Sequence, residues 1–233
     1  MQDFLTGTGY TLLYYCILAA AALLVRFLIR IPDEIFRKTL HGILLGSLLV
    51  YVFGFTVWYH AALSCLCFAA VVFPILYFFE RFKNYSHMVT ERHKGELKSS
   101  LIFVFSMFAA VISVCWGWLG ERLLVIASVY AWGIGDAAAA LIGKRFGRHK
   151  IPGTKKSFEG SLSMFALSFV TVFLILYIRG GMSFGGIMIT ALATGAVSAA
   201  VEVYTPGGMD TISCPLAAMA VLLPLTAAFG GGI

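Results

Sequence analysis

The chain has 233 residues, of which 60% are hydrophobic and only 12% charged, and its mean hydropathy is +0.91. Such a composition cannot cover a water-soluble surface, and the 11 acids and 17 bases fall into clusters between long apolar runs. Disulfide-stapled extracellular domains and nucleic-acid-binding globular domains are excluded together, and the net charge of +6 reads as a basic surface held against anionic lipid.

A helix needs about 20 mostly apolar residues to cross the hydrocarbon core. Such runs fall at 11–29, 39–59, 61–79, 98–119, 121–143, 159–178, 183–203 and 211–229. They predict an all-α integral membrane protein, a compact polytopic bundle of about eight transmembrane helices forming a single transmembrane domain over 1–233. The first run has no basic residue before it and is expected to stay in the protein rather than be cleaved as a signal. Before the second run, Pro32-Asp33-Glu34 reads as a helix start, with acids at the positive end of the helix dipole. All bases except Arg122 and Arg179 flank the first, third and fifth connections. Because Lys and Arg near span ends are retained in the cytosol, both termini are expected on the non-cytosolic side, with connections one, three, five and seven cytosolic. In the third connection, 80–98 is expected to form a short surface helix, and Asn84-Tyr85-Ser86, although a glycosylation pattern, is expected unmodified. The five cysteines lie in or beside apolar runs and are expected as buried thiols, since Cys65-x-Cys67 lacks the second pair of a structural zinc site.

Ionisable groups within spans are costly unless they serve a site or a packing partner. Asp136 sits inside the fifth run, where helical spacing aligns Asp136, Ala140 and Lys144 on one ridge. Ala131, Gly135, Ala139 and Gly143 form the neighbouring ridge of small residues. Glu159 opens the sixth run, Glu202 closes the seventh and Asp210 opens the eighth, so these three share the cytosolic membrane face with Asp136 about two turns deeper. The fifth connection, 144–158, mixes glycines with bases. Gly143, Lys144, Gly147, Arg148, Lys155, Lys156 and Gly160 are its candidates for nucleotide binding, because glycines admit an anion to the backbone and bases supply its countercharge. Carboxylates hold Mg²⁺ and bases neutralise phosphate oxygens, so the combination reads as a metal-and-phosphate site, the plain alternative being a positive-inside loop. Neither the Walker A pattern nor a strand-borne G-x-G-x-x-G occurs, which leaves P-loop and Rossmann binding unsupported. On the second helix, Arg37 and Lys38 can each share a face with His41, as possible support for the site. The seventh run repeats the small-residue device at Ala191, Gly195 and Ala199 and is expected to pack against the fifth.

These residues carry a resemblance. Gly135-Asp136-Ala137-Ala138-Ala139-Ala140, Gly143-Lys144-Arg145-Phe146-Gly147-Arg148-His149-Lys150 and Lys155-Lys156-Ser157-Phe158-Glu159-Gly160 together are similar to the core of the CTP-dependent polyprenol kinases, a family that includes dolichol, phytol and farnesol kinases and the yeast-type diacylglycerol kinase. Arg37-Lys38-x-x-His41, Gly95-Glu96-Leu97, and Glu202 with Asp210-Thr211-Ile212-Ser213-Cys214-Pro215-Leu216 extend the match over about 30–220. Thr211 stands where that last pattern has Asn. The resemblance implies a kinase that holds Mg²⁺ and CTP at the cytosolic face and transfers the γ-phosphoryl group to the hydroxyl of a membrane lipid. Asp136 and Glu159 would organise Mg²⁺ directly or through water, and Lys144, Arg148, Lys155 and Lys156 would bind phosphates. Asp210 would complete the metal site or accept the hydroxyl proton. Phosphatidate cytidylyltransferases resemble the same central stretch and form the alternative reading, although their C-terminal basic-acidic pattern is missing here. A transporter of an anionic lipid or metabolite is the non-enzymatic alternative, against which the lack of related halves argues.

Overall fold

The computed structural model describes residues 1–29, 31–81, 95–154, 156–205 and 208–230. The surface helix expected over 80–98 falls mostly, and Asn84-Tyr85-Ser86 and Lys155 wholly, outside them. Within them the chain is helical: α1 (Gln2–Leu28), α2 (Asp33–Phe53), α3 (Trp58–Phe79), α4 (Glu96–Val111), α5 (Arg122–Phe146), α6 (Phe158–Arg179), α7 (Phe184–Tyr204) and α8 (Asp210–Phe229). A π-helical segment, Ile112–Trp118, prolongs α4. With that segment included, eight helices are long and apolar enough to cross a membrane, as the hydropathy pattern predicts. Their outer faces carry large apolar side chains, Leu13, Ile17, Val71 and Phe78 among them, as befits an integral membrane protein.

Local chemistry sets several helix starts. Pro32 immediately precedes α2, whose first turn contains Asp33 and Glu34. Ser157 caps α6 and Ser183 caps α7, their hydroxyls accepting from the Gly160 and Gly186 amides at 3.2 and 3.1 Å. Pro74 lies inside α3 and Pro215 and Pro224 inside α8, positions that membrane helices tolerate when neighbours satisfy the freed carbonyls.

The chain divides into two compact units, Met1–Ser113 and Val114–Ile233. In the first, α1 packs on α2 and α3, and α3 on α4. Its core is aromatic: Tyr51, Phe55, Phe105 and Phe108 are fully buried, and Phe68 lies 4.8 Å centroid to centroid from both Tyr15 and Phe105. Tyr15 donates to Ser47 Oγ at 2.6 Å. Asp3 closes one end of this unit, accepting from the Thr56 amide (2.9 Å) and hydroxyl (2.7 Å) and meeting His60 Nδ1 at 2.7 Å.

In the second unit α6 packs against α5 and α7, and α8 against α7 and α5. Small residues decide how closely. A Cβ on Gly135 would come within 2.6 Å of Ser168 Oγ and 3.0 Å of Met164 Cγ, and Ser168 Oγ donates to the Ala131 carbonyl at 2.5 Å. The ridge that carries Gly135 therefore meets α6. Gly195 on α7 also meets α6, where a Cβ would stand 3.0 Å from the Phe165 carbonyl oxygen and 3.2 Å from the Phe169 nitrogen. The seventh helix touches the fifth, as expected, but Gly135 and Gly195 make their close approaches to α6. The cysteine expectation is also corrected in part. Cys65, Cys115 and Cys214 are buried, whereas Cys16 and Cys67 lie on exposed faces of α1 and α3.

Candidate functional site

The α5–α6 connection folds as a hairpin whose turn is written in four residues. Thr154 N–H donates to the Ile151 carbonyl at 3.1 Å across Pro152-Gly153, and Gly153 has φ +76°. Proline at the second position and a left-handed glycine at the third are what a type II turn requires. Beyond the turn, Ile151 N–H donates to the Lys156 carbonyl (3.0 Å) and Phe158 N–H to the His149 carbonyl (2.9 Å), with Lys150 and Ser157 bridged antiparallel. Glu159, in the first turn of α6, clamps the strand: its Oε1 accepts from the Arg148 and His149 amides at 3.2 and 3.1 Å and meets His149 Nδ1 at 2.7 Å. The last turn of α5 and the hairpin together present Lys144, Arg145, Arg148 and Lys150 as exposed bases.

The glycines expected to cradle phosphate serve first to bring backbone together. A Cβ on Gly143 would be 3.2 Å from Ser157 Oγ and 3.4 Å from Gly160 Cα, and one on Gly160 would be 3.1 Å from the Ala139 carbonyl oxygen. Gly147 lies against Ser157, whose Oγ and Cβ would stand 2.5 and 2.9 Å from an added Cβ. The end of α5 and the start of α6 thus touch through hydrogen atoms alone, and this fixes the root of the hairpin.

Below the hairpin lies a charged cluster drawn from three helices and the loop. Lys156 reaches across to α7, where its ammonium donates to both the carbonyl and the Oε1 of Glu202. Glu202 is 4% exposed. Asp136 of α5 and Asp210 of α8 both act electrostatically on Glu202, Asp136 acts on Asp210, and Lys156 on Glu202 and Asp210. The sequence-predicted acids Asp136, Glu202 and Asp210 are therefore brought together. Glu159, expected to organise the metal with Asp136 directly or through water, has Oε1 hydrogen-bonded to the hairpin. Lys156, grouped by sequence with the phosphate-binding bases, is also the counterion of the cluster. Arg37, Lys38 and His41 belong to α2 in the first unit, where Arg37 pairs with Glu34 at 2.5 Å.

Three carboxyl groups gather near the Lys156 ammonium, and Glu202 Oε2 is buried without a hydrogen-bond partner. Gathering carboxylates in a buried place is unfavourable unless cations offset them. Among the described residues no three His, Cys, Asp or Glu side chains form a metal-binding group by themselves. A divalent ion that takes one or two carboxylates and completes its shell with phosphate oxygens and water fits this arrangement, and that is the ordinary habit of Mg²⁺.

Sequence reasoning missed the hairpin turn, for which Pro152-Gly153 was the available signal, and the Lys156–Glu202 pair, for which none existed because the partners are 46 positions apart. It also passed over Ser198, one turn before Glu202 on α7 and fully buried.

Comparison with known proteins agrees with the motif resemblance. The chain is 40% identical over 94 residues to phytol kinase of Synechocystis sp., covering 38% of this chain and 37% of that protein. It is 28% identical over 255 aligned positions to dolichol kinase of Bos taurus, covering 92% of this chain and 44% of that protein, and 39% identical over 93 residues to dolichol kinase sec59 of Schizosaccharomyces pombe, covering 37% and 17%. No family model and no solved structure matches. The chain is thus similar to phytol and dolichol kinases, and spans less than half the length of these curated relatives.

Proposed function

We propose that the protein is a membrane lipid kinase that transfers the γ-phosphoryl group of a nucleoside triphosphate, CTP in the reading of the motifs, to the hydroxyl of an isoprenoid alcohol or related lipid. The observation that carries this reading is the convergence of Asp136, Glu202 and Asp210 around Lys156 at the foot of a hairpin bearing exposed bases. Phosphoryl transfer needs little covalent chemistry from a protein; it needs reactants held in line and charge neutralised.

The residues divide this work. Lys144, Arg148 and Lys150 on the hairpin, with Lys155 beside Lys156, neutralise the triphosphate, and Glu159 keeps the hairpin in shape by tying the Arg148 and His149 amides. Asp136 and Asp210 would hold Mg²⁺, which supplies countercharge to the phosphate oxygens. Lys156 holds Glu202 in place through the Glu202 carbonyl and Oε1. The active site faces the cytosol in this proposal, because the basic connections lie on that side. The lipid keeps its tail in the bilayer and brings only its hydroxyl to the cluster.

The test is direct. Purified protein is incubated with Mg²⁺, labelled CTP or ATP, and a panel of isoprenoid alcohols, diacylglycerol and phosphatidate. Nucleoside diphosphate release with a phosphorylated lipid is expected. Pyrophosphate release with a CDP-lipid would instead identify a cytidylyltransferase, and no product from any lipid would end the enzymatic reading.

A further inference from the structure

Two polar atoms on one ridge of α7 are left over once the charged cluster is assembled. Ser198 and Glu202 are four residues apart, one helical turn, on the same face. Ser198 is 0% exposed and its hydroxyl has no hydrogen-bond partner; Glu202 gives Oε1 to Lys156 while Oε2 is buried and unpartnered. Polar groups buried at this depth are ordinarily satisfied, and two orphans in one turn point to a missing ligand.

Packing shows where this pair stands. Gly135, the neighbour of Asp136, is level with Met164 and Ser168 of α6, and Phe165 and Phe169 of α6 are level with Gly195 of α7. Ser198 is therefore within about one turn of the depth of Asp136. Cys214 of α8 donates its thiol to the Ser198 carbonyl at 3.8 Å, bringing α8 to the same level, one turn inside Asp210. Lys156 engages the carbonyl and Oε1 of Glu202, so Oε2 is the oxygen that the hairpin leaves over.

The orphaned atoms specify their ligand. A hydroxyl can donate and a carboxylate only accepts, so the group that satisfies both must itself accept and donate, as an alcohol does. An aromatic row begins within about one turn of the pair: Phe165, Phe169, Phe173 and Tyr177 follow one another along α6 with centroids 6.5, 6.0 and 6.3 Å apart, and a Cβ on Gly195 of α7 would stand 3.4 Å from the Phe165 ring. We propose that Ser198 and Glu202 seat the terminal hydroxyl of the acceptor lipid, Ser198 Oγ donating to the alcohol oxygen and Glu202 Oε2 accepting from its O–H, with the chain lying along this aromatic series. The proposal rests on the kinase reading for the identity of the alcohol.

The test separates the two. Equilibrium binding of a tritiated C20 isoprenoid alcohol to the purified wild-type protein is compared with binding of its methyl ether, which cannot donate. The wild type is expected to prefer the alcohol by about tenfold. Ser198→Ala is expected to weaken alcohol binding, and to raise its KM, by about fivefold with the nucleotide KM unchanged, the loss of one neutral hydrogen bond. Glu202→Gln is expected to abolish the preference for alcohol over ether. Equal binding of alcohol and ether by the wild type, or unchanged alcohol affinity in Ser198→Ala, overturns the seat; the Ser198 hydroxyl then bonds only to its own helix or to water. Failure of the wild type to phosphorylate an alcohol that it binds with this preference sinks the kinase reading and leaves the seat standing.

Discussion

The two ends of the α5–α8 unit each carry a buried or half-buried ion pair, and the pairs differ in what they leave unsatisfied. At one end, just outside α5, Glu121 meets Arg179 of α6 with both of its oxygens, at 2.6 and 3.0 Å from two guanidinium nitrogens, and Arg122 stacks over Trp116 at 4.0 Å. Arg122 and Arg179 are the two bases that stand against the charge bias of the sequence, and the structure gives both a fastening role. At the other end Lys156 takes one oxygen of Glu202 and leaves the other buried without a partner, while Asp136 and Asp210 bring further carboxylates near the same ammonium. A completed pair holds helices together; an incomplete one, with surplus carboxylates and an orphaned oxygen, is arranged for something that binds.

The contrast can be broken by mutation, beginning with the largest expected effect. Asp136→Asn should lower turnover by about a thousandfold, because charge stabilisation of the transferring phosphoryl group is lost, while the thermal midpoint in detergent stays near that of the wild type. Full activity in that variant would reduce the cluster to a packing device. Lys156→Met leaves Glu202 buried and unpaired and should destabilise the protein by about 3 kcal/mol in a denaturation measurement. Adding Glu202→Leu should restore most of that stability without restoring turnover. If the double variant is active, the incomplete pair is no different in kind from Glu121–Arg179.

Smaller effects sharpen the comparison. Glu159→Gln should raise the nucleotide KM by about tenfold with kcat nearly kept, since a neutral amide clamps the Arg148 and His149 amides less strongly. A change in kcat with KM unchanged would move Glu159 from the hairpin to the reacting centre. Glu121→Gln should cost about 1 kcal/mol of stability and leave steady-state activity within about twofold of wild type, the signature of a pair that only fastens.

The helices were legible because the bilayer sets their length and composition, and the start of α2 after Pro32 follows from a proline and two acids that act within one turn. The importance of Asp136 was legible too, since a carboxylate inside an apolar run is anomalous wherever the helix packs. What each small residue meets was not. Gly135 and Gly195 mark close approach, yet only the positions of Ser168, Phe165 and Phe169 show that α6 receives both. Glu159 shows the same limit: its bonds to the Arg148 and His149 amides, eleven and ten positions back, could not be read from its residue type.

By itself the sequence determined a helical membrane protein with acids and bases gathered around the fifth connection, because hydrophobic periodicity, charge placement and turn residues act over a few neighbouring positions. Tertiary structure alone decided which of those charges meet. The Lys156–Glu202 contact, the company of Asp136 and Asp210, and the buried hydroxyl of Ser198 arise where helices distant in the chain come to the same depth, and that register is set by the packing of side chains against one another rather than by any local pattern.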